Sequence, residues 1–117
     1  MTLEGSCHCG AVKLSITDRP KSLTECNCSI CRRLGVRWAY YHPDQVRLTG
    51  ATKPYAWGDR MLEFHHCPEC GCATHWQSTT PEQSERMAVN ARLFDPSDLA
   101  GIRVRQFDGA SSWSYLD

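Results

Sequence analysis

The chain has no excess of charge of either sign: lysine plus arginine number 13 and aspartate plus glutamate 13, in 117 residues. That balance lacks the basic field that neutralises phosphates, so nucleic acid is not an expected partner, and there is no acidic tail. Long apolar runs are missing as well. Nowhere does the sequence approach the roughly 20 apolar residues that cross a bilayer, and Met1-Thr-Leu-Glu-Gly-Ser-Cys7 has neither the basic start nor the apolar run of a secretory leader. The expectation is a cytoplasmic chain with no membrane partner. Repeats, low-complexity stretches and linkers are also absent, so residues 1–117 read as one domain. A domain of this size leaves about a third of its unfolded-state surface exposed and buries one modest core.

Sustained helical periodicity is lacking too. Val12, Leu14 and Ile16 fall on one face of an extended Ala11–Thr17 segment, and short apolar or aromatic runs recur at Val36–Tyr41, Val46–Leu48, Leu62–His66, Ala73–Gln77, Met87–Leu93 and Ile102–Phe107. Turn formers separate them, among them Asp18-Arg-Pro20, Trp57-Gly-Asp59 and Asp108-Gly109. The pattern predicts a mostly β domain. Single helical turns are expected only from Cys28 to Arg33 and at Pro96–Ala100, where Asp95 is placed to cap and Pro96 to start the turn.

Cysteine, by contrast, is abundant, with 8 residues in three clusters. Without a leader the thiols are expected in a reducing compartment, where structural disulfides are rare. Cys-x-Cys and Cys-x-x-Cys spacings suit convergence on an ion about 2.3 Å away better than they suit disulfide geometry. Cys67-Pro-Glu-Cys-Gly71 has the form of a zinc knuckle, with proline stiffening the turn, two inward sulfurs, and a glycine at the backbone position that closes it. Cys7 and Cys9 are the economical partners for Cys67 and Cys70, completing a closed four-thiolate structural site.

Cys26, Cys28 and Cys31 then form a second group, the ligand number of a catalytic zinc that keeps one position open. Zinc is preferred to iron for mononuclear sulfur sites of this kind. Cys72 has two readings, a buried small hydrophobe or a fourth sulfur that closes the second site. His8 lies between two candidate ligands and is expected to face away. His42, His65, His66 and His75 scatter through strands and turns, where hydrogen-bonded structural roles are expected. Arg32 and Arg33 follow the cluster, either as a solvated pair or as groups that steer an anion to the metal. Trp38, Tyr40, Trp57 and Trp76 are candidates for a pocket wall or for core.

Taken in order, Gly5-Ser-Cys-His-Cys-Gly-Ala-Val12, Cys26-Asn-Cys-Ser-Ile-Cys-Arg32, His66-Cys-Pro-Glu-Cys-Gly71 and Val89-Asn-Ala-Arg-Leu-Phe-Asp95 resemble the glutathione-dependent formaldehyde-activating enzymes, a family that also includes centromere protein V. The resemblance covers nearly the whole chain. It implies a β-tent of short antiparallel strands, a structural zinc on Cys7, Cys9, Cys67 and Cys70, and a second zinc on Cys26, Cys28 and Cys31 with a catalytic role. It further implies a carbon–sulfur lyase activity, the reversible addition of glutathione to formaldehyde, with a small-molecule thiol or its aldehyde adduct as partner. On that reading Arg32 or Arg33 would meet a glutathione carboxylate, as would Asn90 or Arg92 if their strand borders the pocket. Cys72 stands where the family pattern leads one to expect a small hydroxyl residue. Two other functions remain open at this stage: a non-catalytic zinc module for a protein or small ligand, and a redox or metal-storage protein. Nothing in the sequence selects a monomer over a dimer.

Overall fold

The computed structural model describes residues 2–80 and 85–117. The alternating segments form strands that assemble into two sheets. In the smaller, β1 (Leu3–Ser6), β2 (Lys13–Ile16) and β5 (Val46–Thr49) lie side by side with β2 in the middle, all antiparallel. The larger sheet contains β3 (Ser22–Cys26), β4 (Trp38–Tyr41), β6 (Lys53–Tyr55), β7 (Leu62–His66), β8 (Ala73–Ser78), β9 (Met87–Asn90) and β10 (Arg103–Phe107). Its order is β10-β3-β4-β9-β8-β7-β6. Every neighbouring pair is antiparallel except β10 and β3, which run parallel with Phe107 opposite Cys26.

Period-two alternation decides which side chains meet. Leu3, Leu14 and Ile16 of the small sheet pack against Leu23, Ala39, Tyr41, Met87 and Val89 from one face of the large sheet. This is the core between the two sheets, and each fully buried aliphatic side chain in it contributes about 1.5–3 kcal/mol relative to exposure. On the opposite face, cross-strand neighbours Phe64, Trp76, Ala88 and Tyr40 form a row across β7, β8, β9 and β4. A one-and-a-half-turn helix, α1 (Ser29–Leu34), covers part of that face through Cys31 and Ile30, with Val36 and Trp38 beneath.

Most expected strands are present, with changed ends. The Ala11–Thr17 segment pairs only over Lys13–Ile16, although Val12 is also fully buried. Met87–Leu93 stops at Asn90, whose side chain accepts the Arg92 N–H and turns Ala91–Leu93 into a single 3₁₀ turn. Strands β1, β3 and β6 were not expected. β1 and β3 are rich in Ser, Thr, Glu and Gly and owe their extension to the neighbours they pair with, while β6 carries Pro54 and is tolerated only because it lies at the sheet edge. The turn from Cys28 to Arg33 is α1, and Asp95 caps a 3₁₀ turn over Pro96–Leu99.

Candidate metal centres and the surfaces around them

The first cysteine group joins the sheets. Cys7 and Cys9 follow β1, and the chain doubles back through Cys7 N–H to Val12 O (3.0 Å) and Gly10 N–H to Cys7 O (3.1 Å). The connection between β7 and β8 repeats this turn, with Cys67 N–H to Cys72 O and Gly71 N–H to Cys67 O, both 2.9 Å. Gly10 and Gly71 each sit at φ 82°, a left-handed conformation that a side chain disfavours.

The two turns face each other and bring the sulfurs of Cys7, Cys9, Cys67 and Cys70 within 4.8 Å of one another. Cys9 Sγ is 3.7 Å from both Cys7 Sγ and Cys67 Sγ. Four bonds of 2.3 Å in a tetrahedron demand an edge of about 3.8 Å, so the donor set fits a thiolate-bound ion. Backbone N–H groups also point at the sulfurs, from Val12 to Cys7 (3.3 Å) and from Glu69 to Cys67 (3.4 Å). N–H groups of Cys72 and Cys9 lower the Cys70 thiol to about 5. At Cys9 the Ala11 N–H favours the thiolate, but burial and the sulfurs of Cys7, Cys67 and Cys70 outweigh it and raise the thiol to about 12. Crowded sulfurs cannot all ionise without a cation to share their charge.

Cys72 belongs beside this first group. It packs with Cys7, Val12, Cys67 and Cys70 and receives the His8 N–H. The second group comprises Cys26, Cys28 and Cys31 without it, again with all sulfurs within 4.8 Å. Cys26 ends β3, Cys28 is the N-cap of α1, and Cys31 lies in its first turn. The local bonds run from Cys28 N–H to Cys26 Sγ (3.5 Å) and from Cys31 N–H to Cys28 Sγ (3.4 Å). From the sheet below, the Trp38 indole donates Nε1–H to Cys31 Sγ at 3.4 Å.

Burial opposes the Cys28 thiolate, yet N–H groups of Cys31 and Ile30 and the neighbouring sulfurs outweigh it, so this thiol is lowered. Burial raises Cys31 and Cys26. Cys31 is the buried corner of the group, and Cys26 and Cys28 are its half-buried corners. Burial also raises the Tyr40 phenol, with Tyr115, Cys26 and Cys31 adding to the effect, so its hydroxyl stays protonated beside the sulfurs.

A segment that the sequence marked only as a turn closes over Cys26 and Cys28. Asn27 donates Nδ2–H to Asp108 Oδ1 and accepts the Ala110 N–H, both at 3.0 Å. Gly109 then lies so close that a methyl group in place of its hydrogen would stand 2.6 Å from Cys26 Sγ and 3.3 Å from Cys28 Cβ. Beyond it, Tyr115 Oη is 3.0 Å from Thr24 Oγ1.

On another face of α1, a cleft of about 460 Å³ is lined by Ile30, Leu34, Tyr55, Trp57 and Phe64, with Arg33 among its polar groups. The expected aromatic candidates therefore separate. Trp38 is core against the second sulfur group, Tyr40 and Trp76 pack edge to face on the same sheet side, and Trp57 lines the cleft. Asn90 is not available to a ligand carboxylate. It is buried and donates to Ala73 O at 2.9 Å, while Arg92 approaches Glu25 at 3.6 Å. Arg33 bonds back to Ser29 O along its own helix, and Arg32 is exposed. Among the histidines, His65 and His75 stack at 4.4 Å, and His75 is held to Thr74 Oγ1 at 2.9 Å.

This mostly β chain carries two convergent groups of cysteine sulfurs that could each hold a metal ion through thiolates. The model of the family "Glutathione-dependent formaldehyde-activating enzyme" matches residues 2–108. The chain belongs to that family. A Halomonas elongata protein whose name places it in the same family is 53% identical over 34 residues, a stretch that takes in 28% of this chain and 22% of the relative. A crystal structure of a Rhodobacter sphaeroides protein is similar with a TM-score of 0.70 and 30% identity, over 87% of this chain and 99% of that one. Among the described residues no helix is long and apolar enough to cross a membrane.

Proposed function

We propose that this chain is a two-zinc enzyme of the cytoplasm that makes and breaks the carbon–sulfur bond between a thiol and a small aldehyde. Glutathione and formaldehyde are the pair suggested by the family description. The observation that carries the reading is the trio of Cys26, Cys28 and Cys31, clustered and fed by N–H donors, with Cys72 placed at the other sulfur group. On this reading Cys7, Cys9, Cys67 and Cys70 hold a structural ion, and Cys26, Cys28 and Cys31 hold the reactive one. An ion held by three sulfurs supplies an electrophilic position that favours the thiolate form of an incoming thiol.

The thiolate sulfur attacks the carbonyl carbon and forms the C–S bond. The C=O electron pair moves to oxygen, which takes up the proton released by the thiol; the reverse step breaks C–S and returns both molecules. The chain's own groups prepare this step. The Cys28 and Cys31 N–H groups and the Trp38 indole hold the sulfur ligands in place, and the protonated Tyr40 phenol is a hydrogen-bond donor on the same side of the sheet. The test is exchange spectroscopy on labelled formaldehyde with glutathione. Exchange accelerated by the wild type but not by Cys28→Ser supports the reading, and equal exchange with both proteins rejects it.

The apolar cleft beside α1 favours a second reading, a non-catalytic zinc module that binds a small apolar ligand or a protein side chain there. Under that reading Trp57→Ala abolishes binding of the partner while Cys28→Ser leaves it intact.

A further inference from the structure

We infer that the stretch 108–110 is a strap clamped by Asn27 over Cys26 and Cys28, and that its docking and the retention of an ion by Cys26, Cys28 and Cys31 strengthen each other. The inference rests on the metal-holding reading of this group given above. Asn27 and Gly109 are its positioning residues, and Gly109 and Ala110 lie beyond the residues matched by the family model.

The topology brings the strap to the sulfurs. β10 runs parallel to β3 with Phe107 opposite Cys26, so the two strands end at the same level. Asn27 N–H extends their ladder to Phe107 O at 3.2 Å, and the chain leaving β10 passes beside the cysteines that follow. Asn27 stands in the sequence between two of the sulfur ligands and grips the strap with both ends of its amide. Nδ2–H donates to Asp108 Oδ1 and Oδ1 accepts the Ala110 N–H, both at 3.0 Å. Gly109 lies between these anchors, and its N–H points at the Cys26 sulfur. A methyl on Gly109 would stand 2.6 Å from Cys26 Sγ and 3.3 Å from Cys28 Cβ. Its φ is not positive, so glycine is needed here for space and not for backbone angle.

The far end of the segment is anchored separately. Leu116 N–H bonds to Gln106 O at 2.9 Å, and Arg103 and Arg105 hold the Asp117 carboxylate. The near end depends on where Asn27 stands, and Asn27 stands where the backbones of Cys26 and Cys28 put it. An ion that fixes both sulfurs fixes that stretch as well. Without the ion the crowded sulfurs lose their common partner, and the clamp loosens. Coupling of this kind is reciprocal: the factor by which the ion favours docking is the factor by which docking favours the ion. Groups that orient a metal's ligands from outside are worth about 10–100-fold in metal affinity.

The experiment has two arms. Amide exchange is followed by nuclear magnetic resonance on the zinc-loaded wild type and on wild type from which a chelator has removed the weaker ion. Gly109 and Ala110 should exchange at least tenfold faster after removal, with Leu116 within about twofold. Release of zinc to a chromogenic chelator is then measured for Asn27→Ala and Gly109→Ala. One ion should leave at least tenfold faster than in the wild type and the other at an unchanged rate. Equal exchange at Gly109 and Ala110 in both metal states overturns this inference alone, and needs no variant to fold. Unchanged release in both variants does the same. A wild type that holds a single ion per chain overturns the metal-holding reading of the second group with it.

Discussion

Trp38 donates its indole N–H to Cys31 Sγ at 3.4 Å from a position in the sheet that is almost wholly shielded from water. The bond links the central strands of the large sheet to the sulfur group on top of them. Substituting Trp38→Phe keeps an aromatic ring in the core but removes the donor, and should cost about 1–2 kcal/mol of stability. The Cys31 thiol, already raised by burial, would rise further and weaken metal retention at the second group. Competition with a chromogenic chelator should show one ion leaving more readily and the other unaffected.

Cys67→Ser should unfold the protein. Its sulfur is fully buried and touches Cys9 Sγ at 3.7 Å, in a group that bridges the two sheets. Zinc binding at closed sites is worth roughly 10–16 kcal/mol in small peptides, comparable to the whole stability of a domain. Loss of cooperative thermal unfolding in the variant is expected. A melt like that of the wild type would show that this group is not structural.

Cys28→Ser is expected to behave differently. The sulfur is half-buried and caps a short helix on the outer face of the sheet, so serine can take over the cap while the sulfur ligand is lost. Metal analysis should find one ion fewer per chain, with circular dichroism close to the wild type. Global unfolding would mean that the structural and reactive roles have been exchanged.

Burial depresses His75 to about 4, with His65 adding to the effect. The unfolded chain titrates this group near 6.5, so between those values the unfolded state holds more protons and stability rises with pH. The contribution is complete above pH 6.5 and is lost as pH falls toward 4; from pH 7 to 5 it amounts to about 2 kcal/mol. Urea unfolding at the two pH values should give a steeper loss for the wild type than for His75→Gln. Equal losses would remove His75 as the cause.

Much of this could be read from the residues. Alternation gave β5, β7 and β8 nearly to the residue, and cysteine spacing alone separated the two sulfur groups. The rest depends on partners remote in the chain. β3 looks polar because its extension comes from lying between β10 and β4, and its parallel partner joins it from the far end of the sequence. Asp108-Gly109 reads as an ordinary turn, and only the docking by Asn27 makes it a wall of the sulfur site. Likewise, no local pattern shows that Trp38 would point its N–H at Cys31, or that Cys72 would lie with Cys7 and Cys67.

The bridging sulfur group has one more consequence. Its halves come from turns 58 residues apart, one attached to each sheet, and Cys7 and Cys67 are both sealed from solvent. Either turn can form by itself, but the sulfurs are shielded only while the sheets stay together. In protein stripped of metal, the rate at which a thiol reagent labels Cys7 and Cys67 therefore reports how often the sheets part, and so times the opening of the tent from within.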